Sequence, residues 1–192
     1  MFFCHEFLTD ARFYELLFRF DRDLAEQARA RGCPKCGGRL DSARYPRKPK
    51  GGPEALGPEH FKRLSLCCDV CRRRVTPPSV RFLGRKVYLG AVIVFVTAML
   101  HGPTPSRIAR LLEWLDVSWH TIDRWRRWWR DVFAKSNFWR VGKGHFAQPP
   151  QTDELPYSLL ARFGGNHETR MVCALKFISP VTTGSVASAV FG

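Results

Sequence analysis

Cys33-Pro34-Lys35-Cys36-Gly37-Gly38 and Cys68-Asp69-Val70-Cys71-Arg72-Arg73 each hold a C-x2-C pair, and their reading decides the fold. A tight turn between two such cysteines puts both thiolates on one side of the backbone, where backbone N–H groups also point at sulfur. Two turns of this kind close a tetrahedral shell of four sulfurs around one ion, with metal–sulfur bonds of about 2.3 Å. Glycines after Cys36 permit the sharp turn. The pattern therefore predicts one structural Zn2+ on Cys33, Cys36, Cys68 and Cys71. All four coordination positions are filled by protein, so such an ion has no open position for catalysis. Buried reduced cysteines are the competing reading, and two clean pairs argue against it. Cys67 leaves an ambiguity, since Cys67 with Cys71 would read C-x3-C; Cys68 is preferred because its spacing matches the first pair. Cys4 and Cys173 stand alone.

Working outward, 31 residues separate Cys36 from Cys68. That exceeds the roughly 15–20 residues of the usual spacing and leaves room for a β-hairpin plus an insertion, Arg44 to Gly52. Leu64-Ser65-Leu66 and Arg74-Val75-Thr76 suit the strands of a ribbon. On the N-terminal side, residues 10–31 read as helical, with Leu16, Leu17, Phe20, Leu24 and Ala28 at helical spacing and Gly32 placed to end the helix. Asp21 could cap a second short helix there. On the C-terminal side, residues 86–135 read as three helices, interrupted by Gly102-Pro103-Thr104-Pro105 and Leu115-Asp116-Val117. Short helices follow near 156–163 and 167–178, with Pro156 as a first helical residue and Gly164 and Pro180 as stops. The expected fold is mainly α with a small β zinc ribbon. Its segments are an N-terminal helical segment (1–32), a zinc ribbon with a basic insertion (33–82), a helix-turn-helix (83–140), and short C-terminal helices with a tail (141–192).

Composition narrows the partners. Hydrophobic residues are 45% of the 192, enough for a packed core, which excludes global disorder. Lys and Arg outnumber Asp and Glu by 31 to 17, and a net charge of +14 attracts polyanions, nucleic acid first. A basic solvated surface is the competing reading. The apolar run from Val87 to Leu100 is about 21 Å long as a helix, too short for a hydrocarbon core of about 30 Å, so no membrane partner is expected. The N-terminal residues lack the pattern of a signal peptide. A cytoplasmic protein follows, in which seven cysteines point to metal rather than disulfides.

The third helix of the 86–135 region, from Trp119 to about Lys135 behind a Ser118 cap, is two-faced. Ile122, Trp125, Trp129, Val132 and Phe133 form an inward stripe, while His120, Arg124, Arg127 and Asp131 point elsewhere and Arg126 and Arg130 flank them. This suits a recognition helix in the major groove, with Trp119, His120 and Arg124 at base edges and Arg127 and Arg130 at phosphates. The loop Arg44, Arg47, Lys48 and Lys50 is held extended by Pro46 and Pro49, and such a strand can follow a phosphate backbone. The bland alternatives are an amphipathic helix with a solvated basic face and a solvated loop.

These knuckles, with the segment Val117-Ser118-Trp119-His120-Thr121-Ile122-Asp123-Arg124-Trp125, resemble the zinc-ribbon and helix-turn-helix DNA-binding region of bacterial insertion-sequence transposases and their small accessory proteins. The resemblance covers roughly residues 33–135. It implies double-stranded DNA as partner, and a catalytic transposase subunit or a second copy of the chain as a further one. Two features depart from the family. Ala109 precedes Val117 by eight positions rather than five, and the gap between knuckles is long. Transposase catalysis uses three carboxylates on an α/β core, and after residue 140 only Asp153, Glu154 and Glu168 are acidic. The expectation is a non-enzymatic DNA-binding protein. A transcriptional regulator, an RNA-binding ribbon and a protein-interaction module are the alternatives; no Ser/His/Asp or Cys/His arrangement suggests a hydrolase.

Overall fold

The computed structural model describes residues 6–43, 45–46, 50–83, 88–100 and 117–183. The expected second helix of the helix-turn-helix, and Arg44, Arg47 and Lys48 of the basic loop, lie outside them. The first long element is α1, Ala11–Arg31. Asp10 caps it by accepting the Arg12 N–H at 2.9 Å, and Gly32 ends it at φ 73°, its N–H donating to the Arg29 carbonyl at 3.0 Å. The left-handed φ is why glycine stands there. The face α1 buries carries Phe13, Tyr14, Leu17, Asp21, Ala25 and Ala28.

Asp21 does not break this helix. Its carboxylate is 1% exposed and accepts from Ser79 Oγ at 2.7 Å, from the Val80 N–H at 2.7 Å and from Arg81 Nε at 2.8 Å. A capping carboxylate has to face the amides of its own helix. This one is turned inward to a distant segment, so the helix runs through it.

Strands β1 (Leu40–Ser42), β4 (Leu66–Cys68) and β5 (Arg74–Val75) form an antiparallel sheet in the order β1-β4-β5. Leu40 pairs with Cys68, and Leu66 with both Ser42 and Val75. The expected strand at 64–66 thus begins later, at Leu66. With Leu66 and Cys68 on the buried side, that register turns Cys67 to the other face. Between β1 and β4 the insertion folds back as a short ladder of β2 (Tyr45–Pro46) and β3 (Lys62–Arg63), with a 3-10 turn at Pro58–Phe61.

Helix α2 spans Gly90–Met99, and residues 90–98 are all buried. It is shorter than the 86–101 expected. Tyr88 and Leu89 are extended and bridge to Lys50 and Phe82, with the Leu89 N–H on the Lys50 carbonyl at 3.2 Å. A fully buried apolar run carries no periodicity that separates strand from helix, so its start is decided by these pairings.

Helix α3, Trp119–Arg127, starts at Ser118, whose Oγ accepts the Thr121 N–H at 3.4 Å. It does not continue as a regular helix to Lys135. Residues Trp128–Phe133 form a π-helical segment, closed by the Ala134 N–H on the Trp129 carbonyl at 2.9 Å. The wider turn buries consecutive tryptophans, Trp128 at 5% and Trp129 at 1% exposure, where the amphipathic stripe held only Trp129. Trp129 Nε1 donates to Thr97 Oγ1 of α2 at 3.0 Å. Helices α4 (Asn137–Gly142), α5 (Tyr157–Leu160) and α6 (His167–Ile178) follow. The expected helix at 156–163 is only one turn, with Pro156 just before it rather than inside it.

The molecule is mainly helical with one small three-stranded sheet. Among the described residues most buried apolar side chains fall into two clusters. The larger joins the first part of α1 to α2, α3 and the later helices, and the smaller consists of Ala28, Cys33, Leu40, Leu66 and Cys68. No helix among the described residues is long and apolar enough to cross a membrane.

Candidate metal centre and basic helix

The smaller cluster includes Cys33 and Cys68, with Cys71 packed against it, and the exposed Cys36 completes the four cysteines expected to act together. The sulfurs of Cys33, Cys36, Cys68 and Cys71 all lie within 4.8 Å of one another. Cys33 Sγ is 3.6 Å from Cys71 Sγ, and Cys36 Sγ is 3.5 Å from Cys68 Sγ. Disulfide sulfurs sit at about 2.05 Å, so these are not bridges. Four sulfurs each about 2.3 Å from one tetrahedral ion would lie about 3.8 Å apart. The cluster is compatible with one structural metal ion.

The two knuckles are built alike. In the first, the Gly37 N–H donates to the Cys33 carbonyl at 2.8 Å and the Cys33 N–H to the Gly38 carbonyl at 2.9 Å. In the second, the Arg72 N–H donates to the Cys68 carbonyl at 3.2 Å and the Cys68 N–H to the Arg73 carbonyl at 2.9 Å. Gly37 (φ 72°) and Arg72 (φ 57°) occupy the same left-handed position. Gly38 lets the knuckles close. A Cβ there would stand 3.0 Å from Cys68 Sγ and from a Val70 methyl.

The turns also tune the thiols. The Lys35 N–H holds the Cys33 thiol down at about 6, against burial, which pushes it up, and with help from the Cys36 N–H and the Cys71 and Cys36 thiols. At Cys68 the Cys71 N–H pulls the same way, but burial and the neighbouring Cys36 and Cys71 thiols push it up to about 12. Four sulfurs this close cannot all carry charge without a cation among them; a coordinated cation deprotonates such thiols. The geometry assigns the fourth position to Cys68. Cys67 stands on the opposite face of β4, its Sγ 3.6 Å from the Arg72 carbonyl.

The remaining candidate residues sit on or near α3. Trp119 is 59% exposed, and His120, Arg124, Arg126, Arg127 and Arg130 are exposed, while Ile122, Trp125, Trp129 and Phe133 are buried. Arg127 pairs with Asp123 at 2.8 Å and Arg130 with Asp131 at 2.8 Å. Among the described residues Arg124 reaches Thr121 Oγ1, at 3.4 Å. Lys50, the end of the basic loop, is exposed and bridges to Tyr88, whose ring stands edge-on to Trp125 at 5.1 Å. The loop thus ends beside α3, a proximity that nothing in the intervening residues announced.

Comparison with family models, with curated proteins and with solved structures finds no match to this chain.

Proposed function

We propose that this chain is a non-catalytic, transposase-related DNA-binding protein, with one zinc ion on Cys33, Cys36, Cys68 and Cys71 holding a ribbon, and α3 acting as a recognition helix. A tetrahedral all-sulfur site with no open position suits a structural zinc ion, whose role is to supply folding energy. The observation that carries the DNA reading is the division of α3. One side of α3 and the π-helical segment after it is locked into the core by Ile122, Trp125 and Trp129, and the exposed residues from Trp119 to Lys135 carry five cations against two carboxylates. A rigidly seated helix with a basic outer face is what entry into a major groove requires. Trp119, His120 and Arg124 stand near its N-terminus, where base edges are read. Arg127 and Arg130 serve phosphates, exchanging exposed carboxylate partners that contribute little in water. Lys50, exposed and bridged to Tyr88, adds a cation near α3, and Arg44, Arg47 and Lys48 are proposed as further phosphate contacts.

The test is the salt dependence of duplex binding by zinc-loaded full-length protein. With about six phosphates engaged, log K falls against log[salt] with a slope near −5. Substituting Arg124 by Gln weakens preference among sequences, whereas Arg130→Gln weakens all duplexes alike. Elemental analysis finds one zinc per chain. A slope near zero in the wild-type protein would refute DNA binding.

A further inference from the structure

The second knuckle holds an arginine where its twin holds a glycine. Gly37 and Arg72 follow the second cysteine of their pairs, share the left-handed backbone and make the same N–H bond to the first cysteine's carbonyl. Glycine adopts that conformation freely, while a residue with a Cβ is strained in it. The Gly37 side is open, with no heavy atom within 4 Å of a Cβ built there, so the turn itself makes no steric demand for a side chain. Backbone strain of this kind persists where the side chain serves something other than the fold.

Arg72 is exposed, and no acidic partner faces it among the described residues; the same holds for Arg73 beside it and for Lys35 on the first knuckle. Two carboxylates of the ribbon, Asp41 and Asp69, face Arg39 instead, at 3.3 and 3.8 Å. Both knuckles ring one sulfur cluster, so each of these three cations stands within two residues of one of its cysteines, and the turns that carry them are pinned by four backbone hydrogen bonds. Exposed cations on a rigid backbone, with no counter-charge of their own, fit a ligand that supplies regularly spaced anions.

We propose that the metal knuckles are a second DNA contact, in which Lys35, Arg72 and Arg73 grip the phosphate backbone of the duplex whose groove α3 reads. This rests on the DNA-binding reading of α3. It gives the ribbon a part in the affinity beyond folding, and it spreads the footprint beyond one groove. The contact is with phosphates and not with bases, so it strengthens binding to every duplex without changing the preferred sequence.

The experiment compares full-length zinc-loaded wild type, R72G, R72K, R73Q and R124Q by salt titration of duplex binding, with zinc content and thermal unfolding measured on each. R72G relieves the strained backbone, so it is expected to keep its zinc and a thermal midpoint no lower than wild type. Its salt slope falls by about 0.9, which is about fivefold in affinity at 0.15 M salt. R73Q behaves likewise, and R72K retains the wild-type slope. Wild-type slopes in R72G and R73Q, with R124Q weakened, would overturn the knuckle contact and leave the α3 reading standing. A slope loss that R72K shares in full, or that tracks loss of zinc, would also overturn it, since the residue would then be structural. Absence of duplex binding in the wild type would remove both readings together.

Discussion

At the residue scale the informative pair is Cys67 and Cys68, neighbours in sequence with opposite fates. Successive residues of a strand point to opposite faces, so pairing Leu40 with Cys68 commits Cys68 to the sulfur cluster and Cys67 to the outside. The equal spacing of the two C-x2-C pairs already favoured this choice; the register of β4 is what decides it. On the proposed zinc reading, Cys68→Ser is expected to lose metal binding, and Cys67→Ser to bind one ion per chain, as measured by elemental analysis of the purified variants. Metal loss in the Cys67 variant with retention in the Cys68 variant would invert the assignment. Arg72 illustrates the opposite case, because nothing in its neighbours tells a reader of the sequence that its φ is positive. The folded turn sets it, through the same N–H bond to the first cysteine's carbonyl that Gly37 makes.

At the element scale, α1 is tied to the chain after the sheet by a buried ion pair. Asp21 and Arg81 are each 1% exposed, 2.8 Å apart. The Arg81 guanidinium also donates to the His60 carbonyl at 2.8 Å and to the Lys62 carbonyl at 3.1 Å, and lies 4.5 Å from the centre of the Phe18 ring. Every polar atom the pair needs is therefore matched, which is the condition under which a buried pair is tolerated. Removing one partner strands a charge in the core. Arg81→Met is expected to destabilise the fold by about 3–5 kcal/mol in chemical denaturation; a loss below about 1 kcal/mol would show that the pair relaxes into solvent. Sequence periodicity could not find this link, because 60 positions separate the partners and an aspartate in mid-helix reads first as a cap. The π-helical stretch that follows α3 escaped for a related reason. Periodicity assumes a constant turn, whereas here two adjacent tryptophans both gain burial by widening it, and Thr97 of α2 fixes the result through the Trp129 indole.

At the scale of the whole molecule, two buried clusters of unequal size predict unequal dependence on the proposed zinc ion. The cluster around the sulfurs has five buried members, too few to hold a sheet of three short strands without a cross-link. Coordination contributes on the order of 10 kcal/mol to such a region. Chelation is expected to speed amide hydrogen exchange across residues 33–75 while most helical circular dichroism survives. Loss of both signals at the same chelator concentration would show one cooperative unit instead. The basic balance, the two thiolate turns and the amphipathic α3 were all legible in the chain, because each is a local pattern of residue type and spacing. Local chemistry by itself determined that four sulfurs would meet and that one helix would carry cations outward. Which cysteine of an adjacent pair turns inward, where α2 begins, which carboxylate holds α1, and that Lys50 comes to lie beside Tyr88 and Trp125 were decided only by tertiary structure. Each depends on pairings between residues distant in sequence, whose energies no local window contains.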